Sequence, residues 1–324
     1  MNNSVRLAFT NVDTCQLFAY SYQFGSTMTF QKLLDDQLAA RMAQAPAGVL
    51  QTEVEGVRLF WTTMSTQPEP LVYDAGIVIV LRGRKDGQLG ERSFVYDENN
   101  YLVLTLPMPF LCAHRASRAE PLCGLFVSAT RDDFTSLLGQ MADVGSISSK
   151  SRRSGLAPAP VDWRMRSTIE RLVSVLDDAL AGRLIGSTLR RELLFHALRG
   201  PCGPALVAYA QQTGDDGKLD KLIEDIQRDI SRPVTIEEMA TSVAMSITTF
   251  HRAFRQRTGQ SPLQYVKRLR LHAARDMIAF DGARIGEAAQ RVGYESTPQF
   301  SREFKRHFGV SARDYQHTTT IIKR

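Results

Sequence analysis

"YESTPQFSREFKRHFG" (residues 294–309) and "AMSITTFHRAFRQRTG" (244–259) are one pattern written twice. Phe250, Arg252, Phe254, Gly259, Ser261 and Tyr265 meet Phe300, Arg302, Phe304, Gly309, Ser311 and Tyr315 at a constant offset of fifty. Upstream the register slips by one, so that Ala240 and Val243 answer Ala289 and Val292. The slip places an extra residue in the turn, where an insertion costs least. A segment that keeps its Phe, Arg and Gly positions in this way is a structural unit used twice.

Each repeat reads as helix, tight turn, helix. The first helix carries small and apolar residues: Ile236, Met239, Ala240 and Val243, then Ile285, Ala288, Ala289 and Val292. Gly293 can supply a positive φ at the second turn, whereas Ala244 stands there in the first and predicts a different turn type or mild strain. Ser246 caps the second helix of the first repeat. Ser296 or Thr297 does so in the second, with Pro298 in the first turn, where its missing N–H costs nothing. Phe250 and Phe254, four apart, point inward together, as do Phe300 and Phe304. Thr249, His251, Arg252 and Arg255 then lie outward or to the side, as do Gln299, Ser301, Arg302 and Lys305.

Hydroxyl, amide, imidazole and guanidinium groups on such a face can reach base edges and phosphates in a major groove. Two ordinary amphipathic hairpins with solvated charged faces are the plainer alternative. Its occurrence twice over, in the basic part of the chain, weighs against it. Between the repeats, "SPLQYVKRLRLHAARDMIAF" (261–280) predicts a long helix capped by Ser261 and opened by Pro262. Some eighteen residues span about 27 Å, and successive major-groove faces of B-DNA lie about 34–36 Å apart. A stiff rod of that length can set two readers in adjacent grooves.

The charge distribution agrees. The 324 residues carry a net +6, yet residues 218–324 hold 19 Lys/Arg against 12 Asp/Glu, while residues 1–217 hold 21 against 22. A basic region attached to a near-neutral one points to a polyanionic partner. The length allows two ordinary domains. The N-terminal residues lack the basic start and apolar run of a secretory signal, no apolar stretch reaches a membrane span, and the four cysteines form no CxxC pair. These features predict a cytoplasmic protein with reduced, buried thiols, no membrane association and no structural metal.

Residues 57–129 are strand-like and punctuated by turns. "GVRLFWTTM", "DAGIVIVLRGR", "SFVYD", "ENNYLVLTLPM" and "PLCGLFVSA" read as strands, with an Asp-Gly turn in "KDGQLGER", and suggest an antiparallel sandwich or barrel. "TMTFQKLLDDQLAARMAQ" (27–44) reads as a helix packed on it. "GSISSKSRRSGLAPAP" (145–160) reads as an exposed loop. Two amphipathic helices follow, at about 162–200. Their stripes either close the β domain's own core or form a dimer surface, for which Ile169, Leu172, Leu176, Leu189 and Leu193 are the candidates.

A small molecule would enter the β domain, and Trp61, Tyr73, Arg82, Tyr101 and His114 are candidates to line its pocket, although each is also explained as a core or rim residue. His114 is the only histidine in the first 195 residues, which argues against a metal-dependent catalytic barrel, and no GxSxG, P-loop or HExxH pattern is present. A cupin enzyme with a vestigial helical domain is therefore the weakest alternative. A regulator without effector, whose β domain only dimerises or binds a protein partner, stays open.

At "MATSVAMSITTFHRAFRQRTGQSPLQYVKRLRLHAARDMI" and "AAQRVGYESTPQFSREFKRHFGVSARDY" the chain resembles the tandem helix-turn-helix domain of AraC/XylS-type bacterial transcription regulators. "LVYDAGIVIVLRGRKDGQLGERSFVYDENNYLVLTLPMPF" and "RRELLFHALRGPCG" are similar to the effector domain of a subclass of them. The resemblance implies an α+β chain: a cupin-like antiparallel β domain with appended helices over 1–212, a linker at 213–217, and an all-α domain of seven helices over 218–324. It further implies homodimerisation, promoter DNA and RNA polymerase as partners, activation, and a possible small-molecule effector but no cofactor and no catalysis. Base contacts in the family come from the front of each recognition helix. Carried over, these are Thr248, Thr249, Arg252 and, more loosely, His251 and Arg255 on a helix at about 247–257. In the second, at about 297–307, they are Thr297, Pro298, Gln299 and Arg302, with Lys305 toward phosphate. Two positions depart from the family pattern. Ala312 replaces the usual Pro after Ser311, and Pro298 offers a base only apolar contact, or is purely structural.

Overall fold

The computed structural model describes residues 32–36, 38–141, 156–211, 214–280 and 282–316. Residues 32–36 and 38–44 are helical, within the segment expected to be so, and 27–31 and 37 lie outside the described residues. They belong to a body of their own that ends at Gln44; a second runs from Ala45 onward.

The second body begins with antiparallel strands. These are β1 (Ala47–Gln51), β2 (Val57–Thr62), β3 (Thr66–Tyr73), β4 (Gly76–Arg82), β5 (Arg84–Leu89), β6 (Arg92–Asp97), β7 (Asn100–Leu104), β8 (Met108–His114), β9 (Leu122–Ser128) and β10 (Leu156–Pro160). They form a sheet of order β1-β2-β9-β4-β7-β10 and a second of order β3-β8-β5-β6. The central β4, "GIVIVLR", is buried on both faces, as an unbroken apolar run requires. β3 and β10 each contain two prolines and both lie at sheet edges, where a missing N–H breaks no ladder.

Two expectations need correction here. Residues 156–160, read as loop, pair with β7 as an edge strand, with Leu156 and Ala159 buried. Asp86-Gly87 is not a turn: β5 runs through it, and the chain reverses at Gly90, whose φ is 61°. Alternation decides this, because Lys85, Gly87 and Leu89 all face inward.

The helices are α1 (Arg131–Met141), α2 (Trp163–Ser174), α3 (Ala179–Arg199), α4 (Gly203–Gln211), α5 (Gly214–Arg228), α6 (Ile236–Ser242), α7 (Ile247–Thr258), α8 (Pro262–Phe280), α9 (Ile285–Arg291) and α10 (Thr297–Phe308). A last helical turn covers 312–316, so Ala312 does not prevent that helix from starting. The expected linker is corrected too, since residues 214–217 are the first turn of α5. Ile169, Leu172, Leu176, Leu189 and Leu193 are each at most 6% exposed. They close this chain's own core and cannot present a dimer surface in this conformation.

The apolar interior is partitioned unevenly. One cluster runs from Val78, Phe94 and Phe110 in the sheets through Leu219 and Ile223 of α5 to Phe250, Phe254 and Tyr265 of the first repeat. A second contains Leu271, Ala274 and Ile278 of α8 with Ala288, Phe300 and Phe304 of the second repeat. The first repeat thus shares its core with the β domain, the second has its own, and α8 spans both.

Candidate nucleic-acid interface

Both repeats fold as their sequences dictate. Thr235 and Glu238 make a capping box at the start of α6. Ser246 caps α7 by accepting from the Thr249 N–H, and Ser296, rather than Thr297, caps α10 by accepting from Gln299. Gly259 and Gly309 end these helices in the left-handed region. Phe250, Phe254, Phe300 and Phe304 are fully buried. Their burial turns the opposite faces outward: Thr248, Thr249, His251, Arg252 and Arg255 on α7, and Thr297, Pro298, Gln299, Arg302 and Lys305 on α10, are all exposed. The structure therefore brings each group of five together on one helix. Thr249 is partly committed, because its hydroxyl oxygen accepts from Ser246 at 2.9 Å.

The turns match in backbone geometry. Ala244 has a φ of 55° and Gly293 one of 85°. In each turn the next residue donates its N–H to the same helix position: Met245 to Ala240 and Tyr294 to Ala289. Ala244 is therefore strained rather than of another turn type.

Sequence patterning did not reveal how the first repeat is held. Arg257, on the inner side of α7, makes a bidentate ion pair with Asp220 of α5 at 2.8 and 2.6 Å, with both side chains buried. The Tyr265 hydroxyl donates to the Pro107 carbonyl at 2.6 Å, and Gln260 Nε2 donates to that of Pro109 at 2.7 Å. Gly259 sits against Leu89 at the tip of the β5–β6 hairpin, where a Cβ would come within 3.0 Å.

A cavity of about 710 Å³ opens between the β strands and α5, α8 and Tyr315. Trp61, Tyr73 and His114 line it, as expected. Arg82 and Tyr101 do not, and Tyr101 is instead buried with its hydroxyl facing Gly200. The residue missed was Lys85, which enters from β5 with 7% exposure. Its Nζ donates to the Tyr73 hydroxyl at 2.8 Å and lies 4.5 Å over the Phe60 ring. Among the described residues it makes no ion pair. Burial opposes its charge, but Tyr73, Cys112 and Glu69 outweigh that and raise the ammonium's pKa. Inward alternation along "RKDGQL" was the signal that could have found it.

Residues 53–205 match the family described as AraC-type transcriptional regulator N-terminus, and residues 239–318 match a helix-turn-helix domain. Over residues 53–205 the chain carries the N-terminal domain of AraC-type transcriptional regulators. It is 30% identical over 167 residues to the HTH-type transcriptional activator RhaS of Salmonella paratyphi A and of Salmonella typhimurium. That match covers 50% of this chain and spans 60% of the relatives' length. ToxT from Vibrio cholerae shares the fold, with a TM-score of 0.56 at 12% identity over 81% of this chain and 97% of that one. A ToxT structure with bound unsaturated fatty acid gives 0.54 at 12% identity over 80% and 94%. The matches are to regulators of transcription rather than to enzymes.

Proposed function

We propose that this chain is a cytoplasmic, promoter-binding transcription activator whose helices α7 and α10 enter successive major grooves of one duplex. The observation that carries this reading is the pairing of two buried Phe-Phe anchors with two exposed polar faces, joined by the single helix α8. At 1.5 Å per residue its nineteen residues span about 28 Å. In this reading the chain acts as a homodimer and engages RNA polymerase at the promoter. Leu180, Leu184 and Ile185, each at least 50% exposed on α3, favour self-association there rather than through the buried stripes.

The cavity supports a small-molecule effector. A buried ammonium that makes no ion pair among the described residues, though Glu69 on the same wall helps to raise its pKa, opens into a cavity also lined by Phe60, Trp61, Tyr73 and Phe126 and suits an apolar molecule that carries one anionic group. The fatty acid held by ToxT has that chemistry. A palmitoleate titration followed by thermal unfolding tests it: the wild type gains stability and Lys85→Met does not, whereas an equal gain in both removes Lys85 from the site.

The DNA reading is tested with the full chain and a duplex selected from a random pool. Affinity should fall steeply as salt rises from 50 to 300 mM. Arg252→Ala should cost about 1–3 kcal/mol and relax preference at one base pair. Salt-indifferent binding would defeat the proposal, and an equal loss on every sequence would reduce Arg252 to a phosphate contact.

A further inference from the structure

Gln299, at the front of α10, donates its amide N–H to Glu303 Oε1 one turn further on, at 3.4 Å. The same oxygen lies 2.6 Å from Lys267 Nζ, which comes from α8. The other oxygen accepts from the Tyr294 hydroxyl at 2.8 Å, and the Tyr294 ring packs edge-on against Phe300. Glu303 is thus tied to the rod, to the turn before α10 and to a side chain on the outer face. Burial pushes its carboxyl up, but Lys267 and Tyr294 outweigh that and hold it below the usual carboxylate range.

An ionised carboxylate only accepts hydrogen bonds. The Gln299 amide must therefore turn its nitrogen toward Glu303 and its oxygen away. One N–H is used in that bond, leaving one donor and one acceptor side by side for an outside partner. That pair complements the N7 acceptor and N6 donor of adenine in the major groove. Guanine presents two acceptors there, N7 and O6, and would set one of them against the amide oxygen. An amide free to rotate could offer its nitrogen to guanine instead.

We propose that Glu303 is a positioning residue that makes Gln299 read adenine. This rests on α10 entering a major groove. The experiment uses the full chain and the duplex recovered by selection, remade with each of the four base pairs at the position whose preference Gln299→Ala abolishes. The wild type is expected to prefer adenine over guanine there by roughly tenfold or more, the size of one good bidentate contact. Glu303→Gln, which keeps the shape and drops the charge, should cut that ratio below about threefold. Glu303→Asp keeps the charge but withdraws the carboxylate by one methylene, and should do the same. Preferences at the base pairs read by α7, and the salt dependence of affinity, should be unchanged in both variants.

An undiminished ratio in either folded variant overturns the proposal, as does a wild-type preference for another base. An equal loss at every base pair also overturns it, since that is what a merely structural Glu303 would give. Recovery of no salt-sensitive duplex by the wild type would instead defeat the DNA reading on which the proposal rests.

Discussion

His272 of α8 and His307 of α10 face each other Nε2 to Nε2 at 3.1 Å, a contact that needs one ring to donate and the other to accept. Doubly protonated rings would both be donors, so the bond requires a neutral partner. Their surroundings enforce this. Burial, then Arg275 and Arg268, push His272 well down, and burial with Arg268, Arg275 and Lys267 lowers His307 to about 4. An unfolded histidine takes its proton near pH 6.5. Between about 6.5 and about 4 the unfolded chain binds more protons than the folded one, so stability falls as the pH drops through that window. The melting temperature of the wild type should drop between pH 7.5 and pH 5, and His307→Gln should flatten that drop. Identical slopes for the two proteins would show that the pair does not titrate as described.

The two turns carry the next scale, because they fix how each repeat's helices cross. At Gly293 a Cβ would lie 2.4 Å from the Ser231 carbonyl oxygen, in a backbone region that disfavours side chains in any case. Arg270 knits the same place together, donating to the carbonyls of Ile230, Arg232 and Gly293. Gly293→Ala should therefore lose at least about 2 kcal/mol in urea unfolding, more than the roughly 1–2 kcal/mol of the left-handed conformation alone. Ala244→Gly should do the opposite, gaining up to about 1 kcal/mol as relieved strain exceeds the added chain entropy. A gain at Gly293 or a marked loss at Ala244 would contradict the shared geometry.

This level was largely legible in the sequence. The offset of fifty fixed the helix pairs, Ser246 and the Ser296/Thr297 pair bracketed the caps, and Ala244 in place of a glycine signalled either mild strain or a different turn type. What escaped were features set by distant neighbours. Asp86-Gly87 has turn chemistry, yet pairing with β6 and β8 on either side keeps it extended. The proline-rich 156–160 has no alternation to announce a strand and forms one only because β7 offers a free edge. The amphipathic stripes of α2 and α3 were ambiguous for the same reason, since periodicity shows that a face is buried without showing against what.

At the scale of the whole molecule, the unequal division of the core matters most. The first repeat is built into the β domain through Arg257–Asp220, Tyr265 and Gln260, while the second packs its own core on the far half of α8 and touches the β domain at β3. A ligand in the cavity would touch both the β domain and α8, at Leu269, His272 and Arg275, and so act on the rod that sets the distance between the two outward faces. The clamp itself is open to test. Asp220→Asn removes the carboxylate that faces the buried Arg257 guanidinium and should cost about 3–5 kcal/mol, whereas Asp220→Leu with Arg257→Met should recover most of that loss. A double variant as unstable as the single one would mean that the pair is not an isolated clamp.

The central claim is that α8 holds two DNA-reading helices at a distance matched to one duplex. Selection of binding sites from a random duplex pool by the full chain measures this most directly. The account predicts two conserved half-sites for each chain with centres about 10–10.5 base pairs apart, one lost in Arg252→Ala and the other in Arg302→Ala. A single half-site, or two whose spacing varies freely from clone to clone, would contradict it.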